Sequence, residues 1–332
     1  VTVTGTGSSL GAIEARPGVV ELWPGETVNV AVYDTATNQA LSAAQLHALT
    51  QRWASSGSAA SASNEYGFAA VAGQDYLALT QKAGAAAGLE TLTLALGGGN
   101  TTSVTIVNHT HDPHDTGYTR TLVVAVDPVL LQKAASAADA TKDVGIEVAL
   151  ELRDMAGTVI DTIPMIPSLV SGRYNTVPSY SGRVGAGDLS AVLAASPDAD
   201  LALRGLNSGA AGYEVRYLPD NTVSGLATAL VTDQDPTTIV GFDLKPDLTL
   251  TVGEYGVLEG EIQFGTIAGG VPTITARQTI PGADLYAAAP DLASDDTGVA
   301  SVNRMGVVRG VSNGAAHATG TFQGHVGSAD IT

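Results

Sequence analysis

The feature that most constrains this 332-residue sequence is the repetition of short apolar runs interrupted by Gly, Asn, Asp or Pro. Within residues 18–34, Val28, Val30 and Val32 alternate with polar or small residues, and Pro24-Gly25 precedes them as a turn. An alternation of period two turns one face of an extended chain toward a core. The chain has 39 Gly and only 4 Phe, which also favours many short strands over long helices. We therefore predict an all-β fold.

The length suits two or three domains of about 100–150 residues each. The first series of predicted strands ends near residue 107, which gives one domain boundary. Asp233-Gln234-Asp235-Pro236 interrupts the apolar runs and gives the next boundary. We predict β-domains over 1–107, 108–243 and 244–332, and the sequence leaves the type of the middle one open. One short helix is predicted within 42–53, behind Ser42 as N-cap. Residues 128–140 are either a second, Ala-rich helix or an exposed linking arm.

Charge and cysteine content exclude several classes of function. The chain has 15 Lys and Arg against 33 Asp and Glu, a formal net charge of −18. Nucleic-acid binding needs basic groups to neutralise phosphates, so we expect no nucleic-acid partner. The absence of Cys excludes disulfides, Cys-ligated zinc and thiol nucleophiles. No stretch approaches about 18 to 20 consecutive apolar residues, so we expect no membrane span.

The last part of the chain resembles a known family. Residues 245–258 read Lys-Pro-Asp-Leu-Thr-Leu-Thr-Val-Gly-Glu-Tyr-Gly-Val-Leu, and Val-Ala-Ser-Val, Gly-Val-Val and Gly-Ala-Ala-His-Ala follow at 299–302, 306–308 and 314–318. In this order the motifs resemble the bacterial immunoglobulin-like domain of group 2, the intimin and invasin type. The resemblance covers residues 245–332. It departs from the family at Leu292, where a Trp is usual.

The first domain resembles the same family more weakly, over residues 18–96. The matching segments are Pro-Gly-Glu-Thr at 24–27, Trp-Ala-Ser-Ser at 53–56 and Gly-Leu-Glu-Thr-Leu-Thr at 88–93. The resemblance implies tandem immunoglobulin-like β-sandwich domains with one or two short helices. It also implies a spacer or display module on a cell surface or a phage particle, generally without catalysis.

Three of the six histidines stand in Asn108-His109-Thr110-His111-Asp112-Pro113-His114-Asp115. On an extended chain His109 and His111 point to one face, so with His114 and a carboxylate they form a candidate site for Zn or another divalent cation. The run resembles the His-x-His-x-Asp-His run of metallo-β-lactamases, but Pro113 stands in place of the Asp. A solvated linker without metal is the alternative.

Asp233 and Asp235, at the second joint, form a second candidate cation site. Carboxylate and backbone oxygens are the ligands that Ca²⁺ prefers. Ordinary acidic turns are the alternative, because no Asp-x-Asp-x-Asp-Gly loop is present. We predict no cofactor other than these divalent cations, Ca or Zn.

No motif brings a nucleophile, a base and an orienting group together, so we predict that the protein is not an enzyme. Glu147 and Glu151 share one face of a predicted strand, but four residues of strand separate them by about 13 Å. Glycosidase carboxylates lie about 5 to 9.5 Å apart.

These observations predict a non-catalytic structural subunit of a virion, as a phage tail or capsid-surface component, or of an extracellular surface assembly. Its partners are copies of itself or other virion or surface subunits, joined through strand edges, with residues 1–6 as a candidate donated strand. A bacterial surface filament subunit is the first alternative. An adhesin or carbohydrate-binding module is the second, with a glycan as partner bound by exposed aromatic side chains. The tyrosines considered for that role are Tyr66, Tyr76, Tyr174, Tyr180, Tyr213 and Tyr217.

Overall fold

The computed structural model describes residues 12–55, 66–97, 99–136, 138–166, 170–174, 193–195, 202–222, 224, 227–289 and 291–332. The predicted strand at residues 1–6 and Tyr180 lie outside these ranges. Strands dominate the described residues, which confirms the all-β prediction of tandem domains with short helices.

The strands are short, two to ten residues long, and are numbered here in chain order. They are β1 (Ile13–Arg16), β2 (Val19–Leu22), β3 (Thr27–Asp34), β4 (Gln39–Ala40), β5 (Thr50–Ser55), β6 (Tyr66–Ala70), β7 (Leu77–Gln81), β8 (Gly88–Leu96), β9 (Asn100–Asn108), β10 (Tyr118–Val124), β11 (Val129–Gln132), β12 (Val144–Gly145), β13 (Val148–Asp154), β14 (Val159–Pro164), β15 (Val170–Tyr174), β16 (Leu193–Ala195), β17 (Ala202–Gly205), β18 (Gly209–Tyr217), β19 (Ala227–Thr232), β20 (Ile239–Lys245), β21 (Tyr255–Val257), β22 (Glu259–Ala268), β23 (Val271–Ile280), β24 (Ala293–Ser294), β25 (Ala300–Val302), β26 (Val307–Gly310), β27 (Ala316–Phe322) and β28 (His325–Ile331).

Two short α-helices are described, α1 (Ala43–His47) and α2 (Leu285–Ala288). Ser42 precedes α1, and its backbone N–H donates to the Gln45 side chain, as in a capping box. The helix predicted within 42–53 is therefore confirmed, but it ends at His47, and β5 begins at Thr50. Both alternatives for residues 128–140, a helix and an exposed linking arm, are wrong at Val129–Gln132. This segment forms β11, pairs with β19 and buries the side chains of Val129 and Leu131.

Three stretches of the chain open with the same strand arrangement. β1, β10 and β20 each pair with a later strand of their own sheet, namely β3, β13 and β22. After a proline (Pro17, Pro128 or Pro246) the chain leaves that sheet and pairs with a different strand. The new partner is the last strand of the stretch, and the pairing is parallel: β2 with β9, β11 with β19, and Leu248 with Ile331. Proline has no N–H to continue a ladder, which suits it to a position where the pairing partner changes.

Contacts group the chain into two compact units: Val1–Val123 with Ala149–Met165, and Val124–Val148 with Ile166–Thr332. The three-domain division at 107 and 243 is not tested by this grouping and stays a prediction.

The core of the first unit is built from alternate residues of its strands. Val30 and Val32 of β3, Leu92 and Leu94 of β8, and Ile106 of β9 are all fully buried in one cluster. The alternation read from the sequence at Val30 and Val32 therefore predicted the buried face of β3 correctly.

The core of the second unit is continuous from β18 and β19 into the last strands of the chain. Leu230 of β19 belongs to the same buried cluster as Phe264 of β22. Phe242 and Phe322 pack with ring centroids 5.6 Å apart. Leu292 stands where the family resemblance places a Trp, and it is buried in this cluster.

Candidate functional site

The three clustered histidines take different positions after β9. His109 is buried, with its side chain 1% exposed, and its backbone N–H donates to Leu22 O at 2.8 Å. His111 and His114 are exposed. The His111 ring packs against Tyr118, with centroids 5.1 Å apart, and the His114 ring contacts the edge of Trp23. The shared face expected for His109 and His111 is therefore not formed.

Two acidic side chains face the His109 ring from opposite sides. Its Nδ1 lies 3.8 Å from Asp161 Oδ2, and its Nε2 lies 4.0 Å from Glu21 Oε2. Both distances exceed a hydrogen bond, and among the residues that the structure describes neither ring nitrogen has a hydrogen-bond partner. The side chains of His109 and Asp161 are almost completely shielded from solvent, and Glu21 is largely shielded.

Arg120 lies against Glu21 on the same side of the cluster. Its Nη1 donates to Glu21 Oε2 at 2.7 Å, and both side chains are nearly nine-tenths buried. His114 Nε2 approaches the same oxygen at 3.8 Å. The carboxylate oxygen that a metal ion would share with His109 and His114 is thus already engaged by a guanidinium group.

Asp161 is held by Thr110, the residue after His109. The Thr110 backbone N–H donates to Asp161 Oδ2 at 2.9 Å, and the Thr110 hydroxyl donates to Oδ1. Burial by itself raises the pKa of Asp161, but the polar contacts with His109 and Thr110 outweigh it and hold that pKa below its ordinary value. This carboxylate is therefore a structural anchor that ties β14 to the segment after β9.

A second buried polar network continues from the same segment. The Gln81 amide donates to the Asn108 side chain and, at 3.0 Å, to the backbone carbonyl of His109. The Asn108 amide donates to Ala86 O. These hydrogen bonds connect β7 to the end of β9 and to the segment that follows it. The segment around His109 is thus connected through hydrogen bonds to β7 and, through Thr110 and Asp161, to β14.

In the described part of the chain, no group of three or more His, Asp or Glu side chains is placed to hold a metal ion. The site at His109, His111 and His114 stays a prediction without geometric support.

Asp233 and Asp235 are both exposed, and the carboxylate of each accepts hydrogen bonds. Asp235 caps the 3₁₀ turn Pro236–Thr238, accepting from the Thr237 N–H at 2.9 Å and the Thr237 hydroxyl at 2.7 Å. These hydrogen bonds lower the pKa of Asp235. The Asp233 carboxylate accepts from the Ser208 hydroxyl. Each side chain fits the alternative of an acidic turn, and the predicted Ca²⁺ site at this joint also lacks geometric support.

Sequence reasoning missed the partners of His109, Glu21 and Asp161. The signal was available, because each interrupts the apolar pattern of a short strand. Asp161 stands two residues before Ile163 in β14, on the same buried face. A charged residue at such a position requires a partner.

Two of the tyrosines considered as glycan platforms are not available for that role. Tyr213 and Tyr217 of β18 are fully buried, so they do not belong to an exposed aromatic face of the kind that the glycan-binding alternative requires. Tyr76 is half-buried. An exposed tyrosine that the sequence reading did not single out is Tyr255, which lies 6.0 Å below the Arg309 guanidinium.

No family model matches this chain, and no curated protein matches it. Aligned solved structures include surface layer protein SbsC, domains 1–6, at 12% identity over 97% of this chain and 40% of that chain, with a TM-score of 0.22. Domains 4–9 of SbsC align at 15% identity over 97% of this chain and 50% of that chain, with a TM-score of 0.23. The chain thus spans half or less of these SbsC structures.

Extracellular domains 3–5 of Drosophila OTK align at 10% identity over 98% of this chain and 97% of that chain, with a TM-score of 0.21. Among the described residues, no helix is long and apolar enough to span a membrane.

Proposed function

We propose that this protein is a non-catalytic structural subunit of a virion or of another extracellular surface assembly. The observation that carries the proposal is the threefold recurrence of one strand arrangement, in β1–β2, in β10–β11 and in β20 with Leu248. Tandem β-domains extend a chain and present strand edges and hairpins at intervals, which suits a spacer or an assembly subunit.

The cluster around His109 has the residue types of an enzyme site, and its geometry supports the absence of catalysis. Around His109, the carboxylates of Glu21 and Asp161 are engaged by Arg120 and Thr110, and the ring itself is buried. A general base must reach a substrate proton within about 3.2 Å, and a buried imidazole offers no such approach.

The charge supports a location outside the cell. A net charge of −18 keeps many copies soluble by mutual repulsion and is tolerated where cations are abundant. Within this class we favour a virion protein, such as a phage tail or capsid-surface component, over a bacterial surface filament. The resemblance of residues 245–332 to the bacterial immunoglobulin-like domain of group 2 fits both.

Negative-stain electron microscopy of the purified protein over a range of concentrations tests this proposal. We expect ordered fibres, tubes or particles at high concentration. A dispersed elongated monomer at every concentration, combined with selective binding on a glycan array, would replace the proposal with the adhesin alternative.

A further inference from the structure

The far end of the hairpin formed by β22 and β23 has both faces exposed. Residues 266–273 are all exposed, whereas Ile262 and Phe264, nearer the start of β22, are buried in the core. The pairing of β22 with β20 goes no further along β22 than Phe264. Beyond that residue, β22 pairs only with β23 in the described sheet. We call residues 266–273 the arm.

The arm has a defined backbone and is not an irregular loop. β22 and β23 remain paired up to Ala268 and Val271, and Gly269 and Gly270 between them have φ values of 59° and 80°. Positive φ at both central residues is the two-residue hairpin turn that matches the twist of a β-ribbon. A shift of register next to Gly265 marks a bulge at the base of the arm. Bulges bend a ribbon and change its direction.

The surface of the arm is apolar and uncharged. Ile267 and Val271 are 60% and 67% exposed, and residues 262–276 contain no Asp, Glu, Lys or Arg in a chain with a net charge of −18. Proteins usually protect exposed strand edges with charged side chains. An exposed apolar ribbon without such protection marks a site of protein contact.

We propose that the arm docks on a second copy of this chain, an inference that rests on the proposed function. Two copies with a net charge of −18 repel each other, and the repulsion is smallest where the contacting surface carries no charge. A basic partner would be drawn to the acidic surface of the chain and not to the arm. Nucleic acid or an anionic membrane would require Lys or Arg beside Ile267 and Val271, and residues 262–276 contain neither.

The size of the arm predicts a weak contact between two isolated copies. Stable interfaces bury about 800 Å² per partner, more than eight residues of ribbon usually provide. Repetition of the contact in an assembly then supplies the strength, because each further link is formed at high effective concentration.

Sedimentation velocity of the full chain over a concentration series tests the proposal. The variant is Ile267→Glu combined with Val271→Glu, which places charge on the arm. The matched control is Val326→Glu, because Val326 in β28 is also 67% exposed but lies outside the arm. Far-UV circular dichroism verifies that all three proteins remain folded. We expect the arm variant to weaken self-association at least tenfold and the control to retain it.

The other outcomes distinguish a failure of the arm contact from a failure of the proposed function. Self-association that is equal in the wild type and the arm variant would overturn the arm contact and leave the proposed function standing. A wild-type protein that stays monomeric at all concentrations would contradict both. Flotation of the wild type, but not the arm variant, with neutral phosphatidylcholine vesicles would overturn the second copy as the occupant in favour of a lipid surface.

Discussion

Arg204 and Asp143 form a bidentate ion pair in the second unit. Arg204 Nε and Asp143 Oδ1 are 2.6 Å apart, Arg204 Nη2 and Asp143 Oδ2 are 2.7 Å apart, and the Arg204 side chain is completely buried. A guanidinium group and a carboxylate match each other in this parallel geometry. The pair connects β17 to the segment just before β12, two parts of the chain about 60 residues apart in sequence.

Replacing Arg204 by Ala leaves Asp143 without its buried partner. We expect a loss of about 3–5 kcal/mol in the free energy of unfolding, the usual cost of breaking a buried ion pair from one side. Urea unfolding followed by circular dichroism measures this. Arg304→Ala is the control, because Arg304 is exposed and its loss should cost no more than about 0.5 kcal/mol. Equal effects of the two substitutions would mean that the Arg204 pair is not structurally important.

The second prediction concerns His317, an exposed histidine beside two carboxylates. Its Nδ1 lies 2.9 Å from Asp295 Oδ2, and its Nε2 lies 3.5 Å from Asp330 Oδ1. The hydrogen bond and the negative charge of Asp295 raise the pKa of His317 above its ordinary value. While Asp295 is ionised, stabilisation by the protonated ring is fully present below about pH 6.5, the ordinary pKa of His, and is lost as the pH rises through the raised pKa.

Nuclear magnetic resonance titration of the His317 ring measures this pKa directly. We expect Asp295→Asn to lower it and Asp296→Asn to leave it unchanged, because the Asp296 carboxylate accepts from the Gly298 N–H and not from His317. A titration midpoint that does not respond to Asp295→Asn would contradict the ion pair.

Glu261 leads to a third prediction, with the opposite dependence on pH. Lys245 and Arg277 donate to its two carboxylate oxygens, and the Lys245 hydrogen bond is the main cause that lowers its pKa. The stabilisation is present above about pH 4.3, the ordinary pKa of Glu, and is lost as the pH falls through the lowered pKa. We expect Glu261→Gln to lower the melting temperature at pH 7, with the difference from wild type shrinking below pH 4. A constant difference between pH 7 and pH 3 would contradict the assignment.

The fourth prediction concerns Gly265 at the base of the arm. A Cβ atom there would lie 1.9 Å from Thr273 O, so any side chain forces the two strands apart. We expect Gly265→Ala to destabilise the protein by about 1–3 kcal/mol and to make the β22–β23 hairpin sensitive to limited proteolysis. Thr266→Ala, at the neighbouring exposed position, should do neither. An unchanged proteolysis pattern for Gly265→Ala would show that the bulge is not required.

The strands were largely predictable because their signal is local. The alternation of Val30 and Val32 identified β3, and Tyr213 to Leu218 identified the end of β18. The segment at Val129 was misjudged because the alanines that follow it at 134–140 favour a helix. Parallel pairing with β19, a strand about 100 residues later, decides its structure.

The candidate site was only partly predictable for a related reason. His109 could be singled out as one of three clustered histidines, but its surroundings come from distant strands. Glu21 belongs to β2, Asp161 belongs to β14, and Arg120 belongs to β10. Which of these groups meet depends on strand pairing across 50 to 100 residues of sequence, and no local pattern records that pairing. The metal prediction from the histidine spacing could not anticipate that Arg120 would engage Glu21.

The central claim is that this chain is an assembly subunit, and the mass of the wild-type protein in solution tests it most directly. One chain has a mass of 33.4 kDa. Light scattering of the full chain at physiological ionic strength should give a mass that rises with concentration well beyond this value. A mass of 33.4 kDa at every concentration would contradict the account.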